Sequence, residues 1–147
     1  MWEKEFIPDE NFLFCRVHHQ FINRKNTPFL PKESAFTNTP KDGDNLSTDW
    51  DKYTTAEDCR ELVAKQKKVG KDEYKNPNDF YIYKFNVCNI RLIETPKQIV
   101  EHDPVFNEPE VVGTPNNRSH AIIIGDKSDP ELRLKLADLG EWAILPT

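Results

Sequence analysis

The sequence is poor in glycine and has none of the glycine-rich loops that hold phosphate groups. Its 147 residues include only five glycines, and these are widely separated. A P-loop or a dinucleotide-binding turn needs clustered glycines so that the backbone can approach the phosphates. The G-x-S-x-G turn that presents the serine of α/β-hydrolases is missing as well. These absences argue against P-loop, dinucleotide-binding and α/β-hydrolase proteins.

Cysteine is also scarce, and the three cysteines have no spacing typical of a disulfide or a metal site. Cys15, Cys59 and Cys88 are odd in number and form no C-x-x-C pair. Cys15 and Cys88 fall in apolar strand patterns, and Cys59 falls on the apolar face of a predicted helix. We therefore expect three reduced thiols that folding does not require, as in a protein of the reducing cytoplasm.

Long apolar runs and an excess of basic residues are absent too. No apolar run approaches the roughly 18 residues of a membrane span. The charged N-terminal residues 1–6 argue against a signal peptide. We expect a cytoplasmic protein without membrane association. The net charge of -5 argues against general nucleic-acid binding, which depends on clustered Lys and Arg.

Aromatic residues, by contrast, are plentiful in an otherwise polar chain. Nine Phe, four Tyr and three Trp accompany a mean hydropathy of -0.74 and 31% charged residues. Aromatic side chains bury large apolar areas, so the composition predicts a folded core rather than a disordered chain. The length suits one domain over residues 1–147.

Hydrophobic periodicity predicts more strands than helices. The predicted strands are 12–19, 80–93 with a bulge near 86–89, 98–101, 119–125 and 142–145. The predicted helices are 54–70, which begins with a capping box, and 128–140, which has Pro at its first position. The predicted loops, rich in Pro and Asn, are 20–53 and 103–118.

Two helices are too few for a doubly wound parallel sheet, in which each crossover needs its own helix. The sequence therefore predicts an α+β fold. We expect a largely antiparallel mixed sheet of about five strands, two helices packed to one side of it, and a long N-terminal loop.

The candidate site residues lie on two of the predicted strands. Arg16 and His18 share a face of the first strand, about 7 Å apart. His120 opens the apolar run Ala121-Ile122-Ile123-Ile124 and follows a polar loop that contains Asn117. We expect His18 and His120 to act as catalytic proton donors or acceptors.

An Arg on an apolar strand needs an anionic partner, because burying a lone charge is costly. That partner is either an internal carboxylate or a bound anion such as a phosphate, carboxylate or nucleotide. If the partner is a bound anion, Arg16 and Asn117 bind this ligand, and Ser47 and Asp49 close over it. If the partner is an internal carboxylate, Arg16 is structural, and Ser47 to Asp49 form a local turn.

The histidine spacing does not favour a metal site. His18 and His19 point to opposite faces of a strand, and no H-x-x-x-H or C-x-x-C spacing supports a joint site with His102 or His120. We therefore predict no metal and no cofactor.

The order of Arg16 and then Ser47-Thr48 partly resembles ADP-ribosyltransferase-like domains, which carry an early Arg and a central Ser-Thr-Ser element. Asp49 stands where those domains have the third Ser, and the late acids Glu101 and Glu141 lie in no matching motif. The resemblance covers these few residues and identifies no family.

Two hypotheses of function follow. In the first, the chain is an enzyme or ligand-binding domain with a pocket for an anionic small molecule. In the second, it is a non-catalytic acidic module, such as a regulator, inhibitor or accessory protein, that binds a protein partner. Its surface would be the loops 41–51 and 101–110 with an exposed Phe106. Small acidic chains without a sharp motif suit this second hypothesis.

Overall fold

The computed structural model describes residues 1–39 and 45–147. Its strands are β1 (Phe12–His18), β2 (Ile22–Asn23), β3 (Leu30–Pro31), β4 (Asn45–Trp50), β5 (Phe80–Asn86), β6 (Ile99–His102), β7 (His120–Ile124) and β8 (Glu141–Ile144). Six of them form an antiparallel sheet in the order β6-β7-β4-β1-β5-β8, and β2 and β3 pair separately. The predicted α+β fold with an antiparallel sheet is confirmed.

The helices are α1 (Ala56–Glu61), α2 (Val87–Arg91) and α3 (Pro130–Leu139). The Thr55 side chain accepts a hydrogen bond from the Asp58 N–H, so the capping residue is Thr55 rather than Thr54. A 3₁₀ turn continues α1 only to Lys65. The predicted helix 54–70 is therefore too long. Residues 66–75 instead form a small hairpin whose turn contains Gly70 at φ +70°.

The second half of the predicted strand 80–93 is wrong, because the chain turns into α2 after Asn86. The Asn86 side chain caps this helix by accepting from the Asn89 N–H at 3.3 Å. Val87 and Ile90 are both fully buried, three residues apart as on one face of a helix. The reversal of the apolar phase therefore marks a helix start rather than a bulge.

The long predicted loop 20–53 is also wrong, because it contains the central strand β4. Leu46, Thr48 and Trp50 are buried on one face, while Asn45, Ser47 and Asp49 alternate with them on the other. Ser47 to Asp49 are thus not a turn. The sheet consequently has six strands rather than about five, with β4 between β7 and β1.

The core lies on both faces of the sheet. Leu13, Cys15 and Val17 of β1 belong to the larger apolar cluster, which includes Leu132 and Leu136 of α3. On the opposite face Phe14 packs with Ile82 and with Cys59 of α1. Because α1 and α3 cover opposite faces, the prediction that the helices pack to one side is wrong. No helix in the described ranges has the length and apolarity to cross a membrane.

The cysteines form no disulfide, and we expect the same in solution. Cys15 and Cys59 are buried and Cys88 is half-buried, and all three are free. Burial raises the pKa of Cys15 to about 12 and that of Cys59 well above its ordinary value. Protein purified without reductant should show three free thiols by mass spectrometry, and iodoacetamide should alkylate only Cys88 before unfolding.

Single replacement of each cysteine by Ala should leave the protein folded. A mass lower by two hydrogens, from an intramolecular bridge, would contradict this prediction.

Candidate functional site

Polar side chains from three neighbouring strands gather on the α1 face of the sheet. Asp49 of β4 lies directly opposite His120 of β7 and opposite Phe14 of β1. Directly opposite residues share a face, and so do residues two apart on one strand. Arg16, Ser47, Asp49 and His120 therefore project from the same side.

The Asp49 carboxylate is the centre of this group. Its Oδ2 lies 2.7 Å from Arg16 Nη2, and the two side chains are 0% and 14% exposed. The contact is an ion pair with poor hydrogen-bond alignment. Arg16 Nε also donates to the Cys59 carbonyl at 2.7 Å. The anionic partner of Arg16 is therefore an internal carboxylate, which was the structural alternative drawn from the sequence.

Further donors bind both oxygens of this carboxylate. Asn117 Nδ2 and Ser119 Oγ donate to Asp49 Oδ1 at 2.6 Å and 2.8 Å. Cys59 Sγ donates to Oδ2 at 3.2 Å. Burial alone would raise the pKa of Asp49, but the Arg16 charge and these hydrogen bonds more than offset it. The pKa of Asp49 is thus held below its usual value, and the residue is charged at neutral pH.

Beside the group centred on Asp49 lies a second polar group, formed by Ser47, His120 and Asp103. Ser47 Oγ lies 2.9 Å from His120 Nε2. His120 Nδ1 lies 2.8 Å from the Asp103 carbonyl oxygen and 3.4 Å from its carboxylate Oδ2. Ser47 is partly exposed, and His120 is 9% exposed. A hydroxyl, an imidazole and an oxygen that orients the imidazole are the groups of an activated nucleophile with an oriented base. Here the hydrogen bond that orients the ring goes to the main-chain carbonyl of Asp103, and the Asp103 carboxylate lies beside it.

These contacts also fix which imidazole nitrogen carries the proton. A carbonyl oxygen can only accept, so His120 Nδ1 is the donor to Asp103. In the neutral ring Nε2 then carries no proton and accepts from the Ser47 hydroxyl. This is the tautomer that a general base requires.

The hydrogen bonds around Asp49 hold this second polar group in place through the loop that joins β6 to β7. Asn117 pairs with Val105 across this loop in a short antiparallel bridge. The Asp103 N–H donates to the His120 carbonyl at 2.9 Å. Since Asn117 is bonded to Asp49, the buried ion pair anchors the loop that places Asp103 beside His120.

The predicted site residues are only partly brought together. Arg16, Asp49 and Asn117 form one contact group, and Ser47 contacts His120. His18, at the end of β1, instead packs at a tilt against His19 and edge-on against Phe80. It lines a separate pocket of about 170 Å³ with Asp79 and Lys75.

Sequence reasoning missed the roles of Asp103, Ser119 and Cys59. Nothing in the local sequence pattern of Asp103 links it to His120. The link arises because β6 pairs with β7, with His102 opposite Ala121. Within residues 1–39 and 45–147, no group of three or more His, Cys, Asp or Glu is arranged to hold a metal ion.

Parts of the two acidic loops proposed as an interaction surface, 41–51 and 101–110, are strands rather than loops. Residues 45–50 are the central strand β4, residues 99–102 are β6, and residues 41–44 lie outside the described ranges. Phe106 is half-buried and packs edge-on against Trp2, with ring centroids 5.2 Å apart.

Comparison with family models, with curated proteins and with solved structures finds no match for this chain. We therefore infer a function from the chemistry of the site alone.

Proposed function

We propose that this chain is an enzyme of acyl transfer or ester hydrolysis, with Ser47 as nucleophile, His120 as general base and Asp103 as the residue that orients His120. The observation that supports this proposal is the 2.9 Å contact between Ser47 Oγ and His120 Nε2, with Nδ1 of the same ring held by Asp103. A nucleophile, a base within hydrogen-bond reach and a third group behind the base are three of the parts that such catalysis uses.

The proposed reaction has two steps. Ser47 Oγ forms a bond to the acyl carbon of an ester while its proton passes to His120 Nε2. The carbon–oxygen bond to the leaving alcohol then breaks, and His120 returns the proton to that alcohol. A water molecule then gives a proton to His120 Nε2 and attacks the acyl carbon. The bond from that carbon to Ser47 Oγ breaks, Oγ takes the proton from His120, and the acid is released. The Asp103 carboxylate, 3.4 Å from Nδ1, stabilises the imidazolium that forms in each step.

In this proposal the Arg16–Asp49 pair serves as scaffold rather than as a ligand site. Its charges neutralise each other, and its remaining hydrogen bonds go to residues of the protein. Asp49 and Asn117 act on the site through the loop that carries Asp103. His18 takes no part, because its contacts are with His19 and Phe80.

A fluorophosphonate probe tests the proposal without knowledge of the substrate, because it phosphonylates serines that have an adjacent base. We expect one adduct per chain by intact mass, mapped to Ser47 by peptide sequencing. Ser47→Ala should abolish the adduct. Its cost to stability should be only about 1 kcal/mol, the value of one hydrogen bond, so the variant stays folded.

Ser128→Ala is the matched control. Ser128 is exposed, and in the described residues it has no contact with a histidine. This variant should label at the wild-type rate. Labelling of Ser128 as fast as Ser47, or no adduct in the wild type at millimolar probe, would show that Ser47 is not activated.

The cellular location belongs to the same proposal. We propose a cytoplasmic location because the three cysteines are free thiols, two of them buried, and free thiols rather than disulfides are typical of that reducing compartment. Fractionation of cells that express the tagged chain would test this placement.

A further inference from the structure

Two exposed turns lie side by side, and the tips of both carry exposed valines. The first is the hairpin 66–75, closed by hydrogen bonds from the Lys68 N–H to the Glu73 carbonyl at 2.8 Å and from the Lys75 N–H to the Gln66 carbonyl at 2.9 Å. Its tip carries Val69, which is 91% exposed. An aliphatic side chain this exposed, at the tip of an ordered turn, contributes almost no buried apolar area to the fold itself.

The second turn is 111–114, closed by a hydrogen bond from the Thr114 N–H to the Val111 carbonyl at 3.1 Å. It contains Gly113 at φ +83° and presents Val112, which is 74% exposed. The Lys67 N–H donates to the Gly113 carbonyl at 3.2 Å. A Cβ at position 113 would lie 2.6 Å from Lys67 Cγ, so the two turns are packed tightly together.

Between them the turns form an open groove of about 490 Å³, lined by residues 67–72 and 112–114. We call it the valine–lysine groove. Its lining contains two valines and three lysines, so a partner would meet apolar surface and positive charge together.

The charge of this region is opposite to that of the whole protein. Residues 65–75 contain five lysines against one Asp and one Glu, a net charge of +3. The chain as a whole carries -5, so the remaining residues carry -8. Lys67 and Lys68 pair with Asp72 and Glu73 at 3.0 Å and 3.4 Å. For Lys71 no carboxylate of the described residues lies within ion-pair distance, which leaves its charge for a partner.

We propose that the valine–lysine groove binds an acidic protein segment that carries aliphatic side chains. Lysines act as mobile point charges and suit carboxylates spread along a chain, whereas phosphate recognition favours the planar fork of Arg, which is missing from residues 65–75. Single-stranded nucleic acid needs aromatic rings for base stacking, and the one ring here, Tyr74, lies under Lys67 Nζ at 5.9 Å. A concave groove also fits an extended chain better than a flat lipid surface.

The partner would bind by a combination of apolar contact and charge steering. The valines would supply the buried area, and the lysines would accelerate encounter and select against basic segments. This inference is independent of the proposed catalysis, because none of the groove residues contacts Ser47, His120 or Asp103 in the described structure.

Selection from a random peptide display library on the intact protein tests this inference without a known partner. We expect enrichment of peptides rich in Glu or Asp together with Leu, Ile or Val. A labelled enriched peptide should bind in a fluorescence anisotropy titration, and its affinity should fall as salt is raised.

Two paired variants separate the two contributions to binding. Lys68→Glu with Lys71→Glu and, separately, Val69→Ser with Val112→Ser should each weaken binding by roughly tenfold or more. Lys135→Glu, at an exposed lysine of α3, is the matched control and should bind like the wild type. All of these variants should keep the wild-type rate of Ser47 labelling.

The inference would be overturned by a library that yields no enriched acidic–aliphatic peptide, or by enriched peptides that bind both paired variants as tightly as the wild type. Binding of a single-stranded oligonucleotide or of phosphatidylserine vesicles through the same lysines, in place of the peptides, would equally overturn it.

Discussion

Replacing Arg16 by Ala should lower the free energy of unfolding by about 3–5 kcal/mol, because it leaves a buried carboxylate without its counter-charge. The Asp49 side chain is 0% exposed, and Arg16 is its cationic partner at 2.7 Å. Urea unfolding monitored by circular dichroism measures this loss. The pKa of Asp49 lies below its usual value, so the stabilisation should be present above about pH 4 and should fade as the pH falls through the lowered pKa.

Two further variants make this result specific. Arg16→Gln combined with Asp49→Asn removes both charges and should cost less than Arg16→Ala alone, since no unpaired charge remains. Arg91→Ala removes an arginine from an exposed ion pair with Asp9 and should cost at most about 1 kcal/mol. A loss below about 1 kcal/mol for Arg16→Ala would contradict the structural role of the buried pair.

Leu136→Asp should unfold the protein or lower its melting temperature severely. Leu136 is 0% exposed on α3 and packs in the larger core cluster with Leu132. The substitution both removes apolar contacts and places a carboxylate where no partner is available.

Leu134→Asp is the control on the same helix, because Leu134 is 54% exposed. It should melt within a few degrees of the wild type. If the two variants melted alike, the face of α3 that packs on the sheet would be misassigned.

The elements that the sequence predicts well are those with a local signal. β7 is an apolar run of four residues after His120, α3 has an Asp–Pro start and a leucine stripe, and β1 is a largely apolar run of seven residues. Each signal is contained within the element and does not depend on tertiary contacts.

The central strand β4 was missed because half of its pattern is polar and yet buried. Ser47 and Asp49 are typical turn residues. The buried charge of Asp49 is compatible with a strand because Arg16 of the neighbouring strand compensates it. That partner is 33 positions earlier in the chain, and no local rule connects the two. The alternation of Leu46, Thr48 and Trp50 was the one available signal.

The candidate site was predictable as a set of residues but not as an arrangement. Ser47, Asp49, Asn117 and His120 were all named from their chemistry. Their contacts follow from the register of β4 on β7, which places Asp49 opposite His120. Pairing of residues 73 positions apart is set by the whole sheet, so the sequence alone shows neither which histidine lies beside Ser47 nor that Asp103 lies beside His120.

The most direct test of the central claim is the rate at which the fluorophosphonate probe modifies Ser47 in the wild type and in His120→Gln. Glutamine can still form a hydrogen bond to Ser47 but cannot take its proton. If His120 is the general base, the second-order rate constant should fall by about 10²–10⁴-fold, with both proteins folded to the same extent. Equal rate constants would contradict the account, because Ser47 would then react without help from His120.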